Sequence, residues 1–196
     1  EPDSIYILGD FDVKTGSEVT YYNGCCSVQK GDFKLVPSKP KKIGSVTEQG
    51  AWFYRGNIKY SFTVQTDKNY EHVYLLLKNA RATAVQLRVG ECCKTVALLT
   101  DAIDITDYLH EGVNELEVTL LGHNRNLLGP HHHIKRIVAM VGPSTFTGTV
   151  GFEDFVSPDI TGDSSWTDSY SFIPFGCDGI SLIFKNSQPL SAYSNF

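Results

Sequence analysis

No apolar run in this chain reaches the ~18 residues that a membrane-crossing helix needs, and no leader pattern of charged then apolar residues opens it. Basic residues are scattered and the net charge is −5, so the electrostatic footprint of a nucleic-acid binder is missing. Gly-x-Ser-x-Gly, the elbow that presents a nucleophilic serine, does not occur. Neither does Cys-x-x-Cys, the spacing of a tetrathiolate zinc site. The strand–helix units of a catalytic barrel, about 200 residues or more of them, are also absent. Internal repeats and low-complexity tracts are lacking too. These absences argue against a membrane partner, a nucleic-acid partner and a self-contained barrel enzyme.

Cysteine is present but poorly arranged for cross-linking. The five residues form two vicinal pairs, Cys25–Cys26 and Cys92–Cys93, with Cys177 alone. An odd count is poor material for a disulfide framework, and neighbours in sequence rarely bond because the small ring is strained. One cysteine from each pair could bridge if their strands were adjacent. The expectation is free thiols in a reducing compartment, with the cytoplasm favoured.

What the chain has is β structure. Aromatic, Thr and Val content lean that way, and a chain of 196 residues suits one domain that buries roughly 70% of its unfolded surface. Ile58, Tyr60, Phe62 and Val64 alternate with polar neighbours, the pattern of a half-buried strand. Val73–Leu77 is continuously apolar and reads as a central strand buried on both faces. Val85, Leu87 and Val89 alternate before a Gly90-Glu91 turn. Further strands are expected at Ile5–Leu8 and at Phe33–Val36, which ends at Pro37 and a basic connector, Ser38–Lys42. Ser169–Phe175 and Ile180–Phe184 read as a last pair around Gly176–Gly179. One helical turn is expected with Thr106 as its N-cap, Asp107 in its first turn and Gly112 at its end; Tyr108 and Leu109 would pack it on the sheet. Ile134–Val141 fits a helical face as well as an edge strand. Strands at this spacing without intervening helices predict an all-β sandwich.

The densest chemistry lies in Asn114–His133. Leu116, Val118 and Leu120 form one face of a strand that leads into His123, Asn124, Arg125 and Asn126. Gly129-Pro130 and three histidines follow. An arginine flanked by amides can grip hydroxyls or a carboxylate, or tie a loop to a sheet. His131 and His133 point the same way on an extended segment and could share a metal ion, with His123 or a carboxylate as third ligand. The structural alternative has the histidines bonded to carbonyls and stacked on aromatics. Asp159, Asp163 and Asp168 offer oxygen ligands for calcium, but at no EF-hand spacing. Trp52, Tyr54, Trp166 and Tyr170 are candidate sugar platforms. Trp166, after Gly162-Asp163-Ser164-Ser165, has the best claim to exposure, and Trp52 is expected in the core.

Several segments resemble a known family. Trp52-Phe-Tyr-Arg-Gly-Asn-Ile-Lys-Tyr-Ser-Phe is similar to the aromatic–x–Gly–x–x–x–Tyr strand of sugar-binding-type β-sandwich domains in large bacterial glycoside hydrolases. Asp104-Ile-Thr-Asp-Tyr-Leu-His-Glu-Gly-Val-Asn-Glu-Leu is similar to their Asp-Ile-Thr…Leu…Gly-x-Asn element, and Asn126-Leu-Leu-Gly-Pro-His-His looks like a motif of a subset. Gly9-Asp10-Phe11 and Trp166–Gly176 also fit. The chain departs from the pattern at Val89–Cys93, where relatives carry an Asn-Gly turn and then an apolar-Pro stretch.

The resemblance implies a galactose-binding-like jelly roll that accompanies a catalytic domain, as a C-terminal accessory portion. Residues 1–196 are accordingly expected to form a single β-sandwich domain excised from a longer protein, as its opening Glu-Pro-Asp suggests. Glycosidase catalysis needs two carboxylates facing each other across a cleft, and none can be paired from sequence. The expected role is a non-catalytic module bracing or completing the catalytic domain of its parent. The alternative is a carbohydrate-binding module. Asn124, Arg125, Asn126, His131, His133 and Trp166 are the expected contact residues. No cofactor is expected, with calcium as the open alternative.

Overall fold

Period-two alternation shapes most of this protein. In a computed structural model, residues 6–22, 24–29, 33–67, 69–96, 102–129, 131–132 and 167–186 are described. The first seven strands are β1 (Phe11–Thr15), β2 (Thr20–Tyr22), β3 (Cys25–Gln29), β4 (Phe33–Pro37), β5 (Gly44–Ser45), β6 (Ile58–Thr66) and β7 (His72–Lys78). The rest are β8 (Ala84–Val89), β9 (Cys92–Val96), β10 (Ala102–Asp104), β11 (Gly112–Leu121), β12 (Ser169–Phe172), β13 (Gly176–Cys177) and β14 (Gly179–Lys185). Helix among the described residues is limited to one turn, α1 (Arg125–Leu128), and two 3-10 turns at Thr47–Gln49 and Thr106–Tyr108. Strand pairing is antiparallel throughout. The fold is all-β.

The described residues divide into two compact units, one within 1–41, 47–54 and 125–174, the other within 42–46, 55–124 and 175–196. The second unit contains a four-stranded sheet, β6-β11-β8-β9, and a three-stranded one, β10-β7-β14. Leu116, Val118 and Leu120 of β11 and Val85, Leu87 and Val89 of β8 are buried on alternate positions. β7 is central in its sheet, and Val73, Tyr74, Leu75 and Leu77 are all buried. Its run of apolar residues is therefore used on both faces. Each fully buried Val or Leu stabilises the fold by roughly 1.5–3 kcal/mol.

The Asp104–Asn114 segment is a lock on this unit. Asp104 accepts from the Thr106 backbone N–H at 3.0 Å and from its hydroxyl at 2.6 Å, while Thr106 Oγ1 accepts from the Val73 N–H at 2.9 Å. Asn114 is buried and donates to Thr66 Oγ1, His110 O and Gly112 O. Each residue type in the motif thus satisfies backbone groups that the turn would otherwise leave unpaired.

In the first unit β1 pairs with β4, and β12-β3-β2 form a sheet. Val13, Cys26, Val28, Trp52 and Phe172 make its core, with Phe11, Val19, Phe33, Phe53 and Tyr170 packed against them. Phe33 meets Phe53, Tyr170 and Phe172 edge-on at 5.6, 5.0 and 6.3 Å, the geometry that ring quadrupoles favour.

Three local expectations need correction. Tyr6–Leu8 form no strand and are exposed; an apolar run becomes a strand only where a partner supplies its hydrogen bonds. The expected pair at Ser169–Phe175 and Ile180–Phe184 is not a pair. β12 bonds to β3 and β14 to β7, because each apolar strand finds its partner in a different core. The turn at Thr106 is capped by Ile105, since the Thr106 hydroxyl is already engaged with Asp104 and Val73. Gly112, with φ of 101°, opens β11 instead of closing the turn. Ile134–Val141 lies outside the described residues. The five cysteines are free thiols, with Cys25, Cys26 and Cys177 buried and Cys92 and Cys93 exposed.

Candidate functional site

Of the polar residues singled out between 123 and 133, the first unit gathers Arg125, Asn126, His131 and His132. Asn126 sits in α1 fully buried. Its Nδ2 donates to Ile173 O at 2.8 Å and Thr47 Oγ1 at 3.4 Å, and its Oδ1 accepts from the Ile173 N–H at 2.8 Å. One amide thereby satisfies both backbone groups of Ile173, just past the end of β12. Asn124 is exposed.

Arg125 donates from Nη1 to Ser171 O at 3.3 Å. Among the described residues its buried Nε and Nη2 meet no hydrogen-bond partner, and neither does Ser171 Oγ. Burial pulls the guanidinium below its ordinary pKa, partly countered by the nearby Cys25 thiol. An arginine in such a place loses hydration that its single bond to a carbonyl replaces only in part.

His131 packs among Phe53, Phe172 and Tyr170, at 5.9, 5.4 and 5.7 Å between ring centres. Its ring nitrogens lie 3.5 Å from Ser171 O and Leu127 O. Burial and then the Arg125 charge lower its pKa, against the pull of those two carbonyls. His132 Nδ1 lies 3.0 Å from Thr167 O, and its ring meets Tyr170 edge-on at 4.3 Å. His123 belongs to the other unit, where its ring meets Phe175 at 5.6 Å. His133, Trp166, Asp159 and Asp163 lie outside the described residues, and Asp168 is exposed. Among the described residues no three His, Cys, Asp or Glu side chains converge on one point.

Of the aromatic candidates, Trp52 is 2% exposed and packs on Phe172 at 5.2 Å. Tyr170 is half-buried and Tyr54 exposed. No sequence pattern singles out Tyr21. It is 66% exposed on β2, and its hydroxyl donates to Glu48. That bond, followed by partial burial, pushes the phenol up to about 12.

Glu48, the partner of Tyr21, lines a cleft of about 510 Å³ together with Asp12, Lys14, Lys39, Gly50 and Trp52. Asp12 is buried under it. It accepts from Lys41 Nζ at 2.5 Å and from the Lys39 N–H at 3.0 Å. Burial pushes this carboxyl up, but the Lys41 and Lys39 bonds and both lysine charges outweigh it and leave the pKa lowered. Gly50 makes the approach possible: at φ of 103° it carries no Cβ, which would lie 3.0 Å from Asp12 Cβ. The only signal in the sequence is the basic connector that supplies Lys39 and Lys41.

No family model matches the chain, and no curated protein matches it. Among solved structures it is similar to a beta-D-mannosidase from Dictyoglomus thermophilum, at 15% identity over 86% of this chain, with a TM-score of 0.33. The chain spans 22% of that protein's length. At this TM-score the likeness carries nothing about activity.

Proposed function

We propose that this chain is a non-catalytic β-module of a multidomain glycoside hydrolase, bracing the catalytic domain of its parent. The observation that carries this reading is the use made of the 125–132 edge. Asn126 and Arg125 fasten α1 to the backbone around β12, and the His131 and His132 rings are packed between aromatics and carbonyls. Groups so placed hold a surface in shape. On that same turn Leu128 is 56% exposed, an apolar contact for a neighbouring domain. The resemblance of Trp52–Phe62 and Asp104–Leu116 to accessory domains supplies the glycosidase context and the galactose-binding-like type.

The test is a comparison of the parent protein with and without residues 1–196. Loss of the module is expected to lower the melting temperature of the catalytic domain, and Leu128→Asp in the full protein to reproduce part of that loss. The chain alone is expected to hydrolyse no aryl glycoside. A catalytic domain equally stable and active without the module would sink the proposal.

A second reading, direct contact with glycan, is favoured by the cleft lined by Lys14, Lys39, Glu48 and Gln49. Saturable binding of any oligosaccharide by the chain alone, measured by calorimetry, would support it.

A further inference from the structure

The cleft beside β1 has an uneven charge balance. Its two carboxylates are both engaged, Asp12 with Lys41 and the Lys39 amide and Glu48 with Tyr21. Lys14 forms no ion pair among the described residues and is exposed at the cleft wall. Directly across the ribbon stands Lys34, exposed and in register with Lys14, so both ammonium groups leave the same face. Like charges placed opposite each other destabilise a strand pair, and an anion between them would reverse the sign of that interaction. Lys39 adds a third ammonium at the rim.

The remaining features of the cleft suit a hydroxylated ring. Tyr21 offers an exposed aromatic face, and the bond to Glu48 restrains its orientation, so less freedom is lost when something stacks on it. Glu48 keeps acceptor capacity for a second donor, since a carboxylate has about four acceptor sites. Gln49 lines the same wall with both donor and acceptor chemistry.

We infer that the cleft lined by Glu48, Lys14 and Lys39 binds an acidic oligosaccharide, its sugar ring on Tyr21, which is hydrogen-bonded to Glu48, and its carboxylate towards Lys14 and Lys34. This rests on the glycan-contact reading and names its ligand class and its place. The contacts would lie on β1, β2, β4 and the turn at Thr47–Gln49, away from the 125–132 edge expected from the sequence.

The experiment is titration calorimetry of the whole chain with trigalacturonic acid and, in parallel, with the neutral galactotriose. The acidic sugar is expected to bind about tenfold more tightly or better, with affinity falling as salt screens the lysines. Lys14→Gln and Tyr21→Ala are each expected to weaken it by about tenfold while the melting temperature stays in place, both side chains being exposed. Equal affinity for the two sugars would overturn the ligand class and leave glycan contact standing. Binding untouched by both variants would overturn the location. Silence towards both sugars would overturn the inference together with the glycan-contact reading. Tighter binding of a phosphate polymer such as polyadenylate would overturn the saccharide assignment.

Discussion

Asn114 holds His110 by both ends of its amide: Oδ1 accepts the His110 backbone N–H at 2.9 Å, and Nδ2 donates to the His110 carbonyl at 2.8 Å. The two residues frame the turn between the 3-10 segment and β11, and Thr66 Oγ1 reaches the same carbonyl at 2.6 Å. Asn114→Ala removes a buried amide that bonds the partly buried backbone of this turn. A loss of about 2–4 kcal/mol is expected in urea unfolding. A loss below about 0.5 kcal/mol would mean that the turn closes without its asparagine.

Gly50→Ala tests the approach of Asp12 to the turn. A Cβ there meets Asp12 Cβ at 3.0 Å and Cγ at 3.1 Å, at a φ that side chains rarely adopt. Destabilisation of about 1–3 kcal/mol is expected. Unchanged stability would show that the 47–50 turn shifts freely.

Arg125→Met replaces a buried guanidinium, two of whose nitrogens meet no partner among the described residues, with an apolar chain of similar reach. Because desolvation of the charge is relieved, stability of the isolated chain is expected to stay level or rise by about 1 kcal/mol. A fall of more than about 2 kcal/mol would show that Arg125 is ion-paired in solution.

The His131 pKa is depressed by burial and by Arg125, so the folded state resists its protonation. Below the unfolded value of about 6.5 the unfolded chain takes up the proton first. Stability is therefore expected to be full above that pH and to fall as pH drops through it. The carboxylates with lowered values, Asp12, Asp67, Asp104 and Asp178, lose their contribution only below about pH 4. The His131→Gln variant should therefore show a smaller drop in melting temperature between pH 7.5 and 5.5 than the parent sequence. Identical drops would assign the window to another group.

Cys92 and Cys93 are exposed on β9, while Cys25, Cys26 and Cys177 are buried. Burial pushes the Cys26 thiol up to about 12, with the Glu48 and Cys25 charges adding to it, and burial also raises Cys177. Thiolate, not thiol, reacts with disulfide reagents. Titration with such a reagent is expected to count the two exposed thiols in the native protein and the other three only after denaturation. Rapid reaction of all five would mean that the cores open readily.

Local pattern carried part of this structure in plain view. The alternation at Ile58–Val64 and Leu116–Leu120 marks half-buried strands, because a strand shows opposite faces at successive residues. The continuous run Val73–Leu77 marks a strand covered on both sides. The polar crowding at 123–132 was visible as a cluster, but its use was not. Asn126 meets Thr47 and Ile173, 79 and 47 residues away, and no spacing rule links those positions. His123 and His131, near in sequence, lie in different units.

The all-β class and seven of the fourteen strands among the described residues are legible in the chain's local pattern, since side-chain period is a local property of the backbone. Strand partners and the cleft come from the tertiary structure: β12 with β3, β14 with β7, and the meeting of β1, the connector after β4 and the Thr47–Gln49 turn, whose Glu48 is reached by Tyr21 of β2. The physical reason is that hydrogen bonds and burial are settled between segments distant in the chain, where apolar strands of similar composition compete for the same partners.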